Sequence, residues 1–130
     1  MIFIDTNYFL RFFLADVNKE YLEAKKLFLE ASDGNYRLFT SSIVVFEIYW
    51  VLLAQFNKDK FKVIEVLKKM FRFKFIDFED LNFFEEAIKI YEDSNIGLVD
   101  SYNLVYAKSQ KTQDFKTFDK KLQNRWKTQK

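Results

Sequence analysis

Hydrophobic positions change period several times along this chain, and each change marks an expected element. Met1 to Ile4 is a continuous apolar run, the pattern of a strand buried on both faces, and it ends at Asp5. Thr6 and Asn7 open a helical stretch that runs through Leu14. Between residues 18 and 33, Ala24, Leu27, Phe28 and Ala31 recur at i, i+3, i+4 and i+7, while Glu20, Glu23, Lys25 and Lys26 fall largely on other faces. Gly34 follows as a stop. Arg37 to Thr40 reads as a second strand, after which Ser41 or Ser42 caps a long apolar helix reaching about Phe56.

The same reading continues through the second half. A helix is predicted over about 59 to 71, with Val63, Ile64, Leu67, Met70 and Phe71 on one side. A short strand follows at Lys74 to Ile76. Asp77 then caps a helix whose stripe is Leu81, Phe84, Ile88 and Tyr91, with Asp80 three residues after the cap. Beyond Gly97, Val99 to Ser109 forms a helix carrying Asp100 in its first turn, and Asp114 to Phe118 forms a last strand ending at Asp119. Strands alternating with helices imply an α/β fold around a mostly parallel sheet. In such sheets ligands bind beyond the carboxyl ends of the strands, where Asp5 and Asp119 are expected.

Composition narrows the chemistry. The chain has 130 residues, no Pro and two Gly, so no segment resembles a linker and a single domain over 1–130 is expected. Phe is abundant, at 17 residues, and at helical spacing it reads as core packing. The absence of Cys and His excludes disulfides, thiolate chemistry, zinc sites and histidine acid-base catalysis, so any metal must be held by oxygen. No apolar stretch is long enough for a membrane span, and Asp5 comes too early for a signal peptide, so a soluble cytoplasmic protein is expected. Net charge is +2, but from Lys108 onward eight Lys/Arg face Asp114 and Asp119, a local +6. That end suits a phosphate-bearing partner or a solvated helix face.

Four acids stand out against this background. Asp5 closes Met1-Ile-Phe-Ile, Glu47 lies inside Ile43-Val-Val-Phe-Glu-Ile-Tyr-Trp-Val, Asp100 follows Gly97-Leu-Val, and Asp119 follows Phe115-Lys-Thr-Phe. A carboxylate in apolar surroundings costs several kcal/mol unless it is paired. Taken singly, Asp5, Asp100 and Asp119 also read as helix caps or dipole partners. Glu47 has no Lys or Arg within a helical turn to pair with. Four carboxylates in one crevice call for a divalent cation, and all-oxygen ligation points to Mg²⁺ or Mn²⁺. Such a site suits phosphodiester hydrolysis by metal-activated water.

The segments Asp5-Thr-Asn7-Tyr-Phe-Leu-Arg11, Ser42-Ile-Val-Val-Phe-Glu47-Ile-Tyr-Trp, Val99-Asp100-Ser-Tyr-Asn-Leu-Val-Tyr-Ala107 and Lys116-Thr-Phe-Asp119-Lys-Lys resemble the four motifs of PIN-domain nucleases, most closely the VapC-like ribonuclease toxins of toxin-antitoxin pairs. The resemblance implies a three-layer α/β/α fold with a central, mostly parallel four- or five-stranded sheet. It implies a metal site of Asp5, Glu47, Asp100 and Asp119, with Asn7, Ser42 and Thr117 orienting ligands or waters. Arg11 and Lys120 are candidate phosphate contacts. The resemblance further implies cleavage of RNA, often a transfer or ribosomal RNA, a homodimer, and a cognate antitoxin that can place an Arg among the carboxylates. Gly97 departs from the pattern, because many relatives carry an additional acid there, and so does Asn103, at a usually apolar position. A catalytically reduced PIN-like module that binds RNA or protein is the alternative reading.

Overall fold

A computed structural model describes residues 1–129. The chain divides into two compact units, Met1–Leu81 and the segment from Asn82 onward. The first holds three strands and four helices in the order β1 (Ile2–Phe3), α1 (Thr6–Leu14), α2 (Asn18–Ser32), β2 (Leu38–Thr40), α3 (Ser42–Gln55), α4 (Lys60–Phe71) and β3 (Ile76–Phe78). All pairings are parallel, with β2 in the centre. Ile2 and Phe3 stand opposite Leu38 and Phe39, and Leu38, Phe39 and Thr40 stand opposite Ile76, Asp77 and Phe78. This is the α/β arrangement with a parallel sheet that the alternation of elements predicts.

Local chemistry sets most of the boundaries. The Asp5 side chain caps α1 and Ser41 caps α3, and Asp59 caps α4 by accepting from the amides of Phe61 and Lys62. Gly34 ends α2 at φ +89°, where its own amide and that of Asn35 return to Ala31 and Glu30. A left-handed residue at that place is what glycine supplies at no steric cost. Phe residues fill the space as expected: Phe28 meets Phe9, Phe12, Phe73 and Phe75 with ring centroids 5.1–6.0 Å apart. Phe9, Val45, Ile48, Leu52 and Leu67 are fully enclosed.

The second unit contains α5 (Leu81–Asp93, beginning at the last residue of the first unit), α6 (Leu98–Ser109) and α7 (Lys120–Gln129). Phe84, Ala87, Leu98, Ser101 and Leu104 have no exposure, and α6 packs against α7.

Two expectations require correction. The third strand lies two residues later than Lys74 to Ile76, because Ile76 and Phe78 are the alternate residues that point inward. Asp77 between them is exposed and bonds Arg37 at 2.7 Å, so it is a strand residue and not a helix cap. The segment from Asp114 to Phe118 forms no strand. Its two aromatics are spaced by three, which cannot place both on one face of a pleat, and Phe118 is fully exposed while Phe115 packs on Trp126. The sheet therefore has three strands among the described residues, and the basic C-terminal stretch is helical.

Candidate active site

In the first unit the carboxyl edge of the sheet gathers the ends of all three strands. Asp5 follows β1 and accepts the Thr6 amide on Oδ1 at 2.8 Å, which fixes its carboxylate at the start of α1. Thr6, only 8 % exposed, donates its hydroxyl to Glu47 Oε1 at 3.2 Å. One threonine therefore holds both acids, by its amide and by its hydroxyl. The hydroxyl of Thr40, at the end of β2, donates to the Ile4 carbonyl at 2.7 Å and fastens the two strand ends together.

Glu47 is not a buried charge. It lies on the exposed side of α3 with Ile43, Trp50 and Val51, which are 71 %, 54 % and 39 % exposed. The apolar run that suggested burial on all sides reflects a helix with apolar residues on its open face as well as its closed one. Solvation removes the burial cost, and the Thr6 hydroxyl supplies the partner absent from its own helix.

The remaining expected site residues are placed as follows. Ser42 takes the Glu79 carboxylate on its amide at 2.9 Å and donates its hydroxyl to Asp80 Oδ2 at 3.0 Å. Asp80 has a left-handed backbone, φ 60°, just beyond β3. Asn7 is exposed and lines a shallow cleft with Tyr8, Arg11, Glu20 and Glu23. Arg11 is engaged there, with Glu20 at 2.8 Å and Asp16 at 3.2 Å, so its charge is largely matched within the first unit. Those two contacts raise the Arg11 pKa, the hydrogen bond to Glu20 contributing most.

In the second unit, Asp100 is half-buried in the first turn of α6, followed by Ser101, whose hydroxyl donates to the Gly97 carbonyl at 2.8 Å. Asp119 is exposed and caps α7, accepting from the amides of Lys121 and Leu122 at 2.8 and 3.3 Å. Thr117 Oγ1 accepts the Asp119 amide at 3.1 Å, so this threonine orients the acid that follows it. Lys120 is exposed at the first position of α7.

A family model for the PIN domain matches residues 2–126. The chain belongs to the PIN-domain family. PIN domains are generally metal-dependent nucleases acting on RNA, so membership gives this PIN-domain protein a nuclease-type, hydrolytic function. No curated protein and no solved structure matches the chain. No helix among the described residues is long and apolar enough to cross a membrane.

The donor chemistry of the PIN-domain acids fits a hard divalent cation, since every candidate ligand is a carboxylate oxygen. Among the described residues no three acids are grouped closely enough to hold an ion by themselves. Mg²⁺ asks for less: it keeps several waters and commonly takes one or two carboxylates along with substrate phosphate oxygens. Asp5 and Glu47, joined through Thr6, can supply that share. Thr6 escaped notice in the sequence because a threonine after a strand-end Asp reads as an ordinary helix start. Its signal was the Asp-Thr-Asn order in the first motif.

Proposed function

We propose that this PIN-domain protein is a Mg²⁺- or Mn²⁺-dependent endoribonuclease, the toxin of a toxin-antitoxin pair, with Asp5, Glu47, Asp100 and Asp119 as its metal ligands. The observation that carries the reading is Thr6 holding Asp5 and Glu47 together at the carboxyl edge of the sheet, in a chain of this family. A divalent cation would supply a Lewis acid for the scissile phosphate and an activated water for its hydrolysis. The protein's part is positional. Thr6 orients Glu47, Thr117 orients Asp119, Asn7 follows Asp5 by two residues, and Ser42 is the first residue of α3. Lys120 and Arg11 are the nearest cations in sequence to Asp119 and Asp5 for holding the RNA backbone.

Two partners belong to the same proposal. The apolar residues left open on α3 support self-association into a homodimer. A cognate antitoxin carrying an Arg would neutralise the carboxylates by bidentate pairing. A non-catalytic PIN module that binds RNA or protein is the competing reading, favoured by Gly97 and by the absence of a three-acid group among the described residues.

Hydrolysis of total RNA with Mg²⁺ or Mn²⁺ tests the proposal. The wild type is expected to degrade RNA and the Asp5→Asn and Glu47→Gln variants to lose at least a hundredfold in rate. Equal rates in all three would remove these residues from the chemistry.

A further inference from the structure

The second unit holds an open cavity of about 310 Å³ between the loop 114–117 and α7. Its floor is aromatic: Phe115 and Trp126 meet with centroids 5.5 Å apart, and Trp126 is only 4 % exposed. Its walls are tied, because Gln123 Nε2 donates to the Thr117 carbonyl at 2.6 Å and so fastens α7 to the loop. Lys116 and Lys127 complete the lining. The one acid there, Asp114, already accepts the Phe115 amide at 2.8 Å and the Lys116 ammonium at 2.9 Å. Trp126 Nε1 is buried and has no hydrogen-bond partner among the described residues.

Charge extends the same preference along the helix. Over its ten residues α7 carries Lys120, Lys121, Arg125 and Lys127 and no acid. The Lys116–Asp114 pair is highly exposed, at 91 % and 56 %, and such a pair exchanges readily for a stronger anion. A cavity of this size, with cationic rims and an aromatic floor, matches one nucleotide unit of a chain whose phosphates are numerous and evenly spaced.

From these features we infer that the cavity is a phosphate subsite for an RNA strand, holding one phosphodiester and its sugar outside the reacting position. The inference rests on the nuclease reading and deepens it. Thr117 links the two places, since it lines the cavity and also receives the Asp119 amide. A phosphate seated between Lys116 and Lys127 therefore sets the register of the strand relative to Asp119. RNA is favoured over an acidic protein because nothing in the cavity selects a side chain, whereas the cations repeat along α7.

The experiment measures binding of a labelled eight-nucleotide single-stranded RNA to the full chain carrying Asp5→Asn, without metal, at several salt concentrations. Adding Lys116→Gln and Lys127→Gln together is expected to weaken binding at least fivefold and to lower the salt slope by about 0.7, the value of one lost single-strand phosphate contact. Lys127→Arg should retain most of the affinity. Lys25→Gln with Lys26→Gln, on the exposed face of α2, should change neither quantity. Binding within twofold and an unchanged slope in the Lys116/Lys127 variant would overturn the subsite. Free mononucleotide or inorganic phosphate competing as well as the oligomer, mole for mole, would make it a small-anion site instead. An acidic peptide binding while RNA does not would assign it to a protein partner. Because no cleavage is involved, a failed RNA-degradation test leaves this binding result standing. A failed binding test likewise leaves the wild type's RNA degradation to be judged separately.

Discussion

At Asp5 the carboxylate caps α1 by accepting the Thr6 amide, and it is also proposed as a metal ligand. The two roles make different demands on a substitution. Asn at this position keeps an oxygen acceptor and caps as well as Asp, whereas Ala removes the cap. Asp5→Asn is therefore expected to alter folding stability by less than about 0.5 kcal/mol, and Asp5→Ala to cost about 1 kcal/mol, while both abolish metal-dependent cleavage. Urea unfolding alongside an RNA-degradation assay separates the roles. If Asp5→Asn proved as destabilising as Asp5→Ala, the negative charge itself would be holding the fold. The residue scale also shows what the sequence could not convey about Glu47. A helix of nearly unbroken hydrophobicity looks closed on all sides, but periodicity cannot distinguish an apolar face that meets the core from one that meets a partner.

At the scale of elements, α3 shows that ambiguity most clearly. Val44, Val45, Ile48 and Leu52 face inward, while Ile43, Trp50 and Val51 stay open beside Glu47. Three large apolar side chains left open on one helix are the kind of exposure that marks an interaction surface. In the homodimer proposed above, Trp50→Glu is expected to place a charge among them and shift the protein to monomer, with a cost to monomer stability below about 0.5 kcal/mol because the site is exposed. Sedimentation of wild type and variant across a hundredfold concentration range reads this directly. A monomeric wild type, or a variant that still dimerises, would remove α3 as the interface.

Elements were legible in the sequence where one period dominated. The amphipathic stripe of α2 and its Gly34 stop, the strand at β2 and the Ser41 cap all lie where the pattern puts them. The reading slipped at β3 because Phe73, Phe75, Ile76 and Phe78 offer two overlapping alternations, and pairing with β2, not local pattern, chooses between them. It failed at 114–118 for the opposite reason. Phe115 and Phe118 look strand-like by composition, but Phe115 is taken by Trp126 on a helix that an apolar count does not reveal. Asp5 and Glu47 of the candidate site were marked in the sequence by their apolar surroundings, whereas the Thr6 hydroxyl joining them depends on where α1 lands against α3.

At the scale of the whole molecule, the metal reading has a thermodynamic consequence that needs no substrate. A cation that binds the folded chain and not the unfolded one stabilises it by RT ln(1 + [L]/Kd), about 2.7 kcal/mol at one hundred times Kd. For a chain of 130 residues that corresponds to roughly 10 °C in Tm. Mg²⁺ or Mn²⁺ is expected to raise the wild-type Tm towards this value, and chelation to reverse it. Screening of general charge repulsion would also raise Tm, but monovalent salt at equal ionic strength would then do the same. The four acids should not respond alike if they share the ion unequally. Asp5→Asn and Glu47→Gln remove the pair that Thr6 joins, so each is expected to abolish the shift. Asp100→Asn and Asp119→Asn, which leave that pair intact, are expected to weaken the metal's apparent affinity tenfold or more. A full wild-type shift retained in both of the latter would confine the ion to Asp5 and Glu47, and a full shift retained in all four would place metal binding elsewhere.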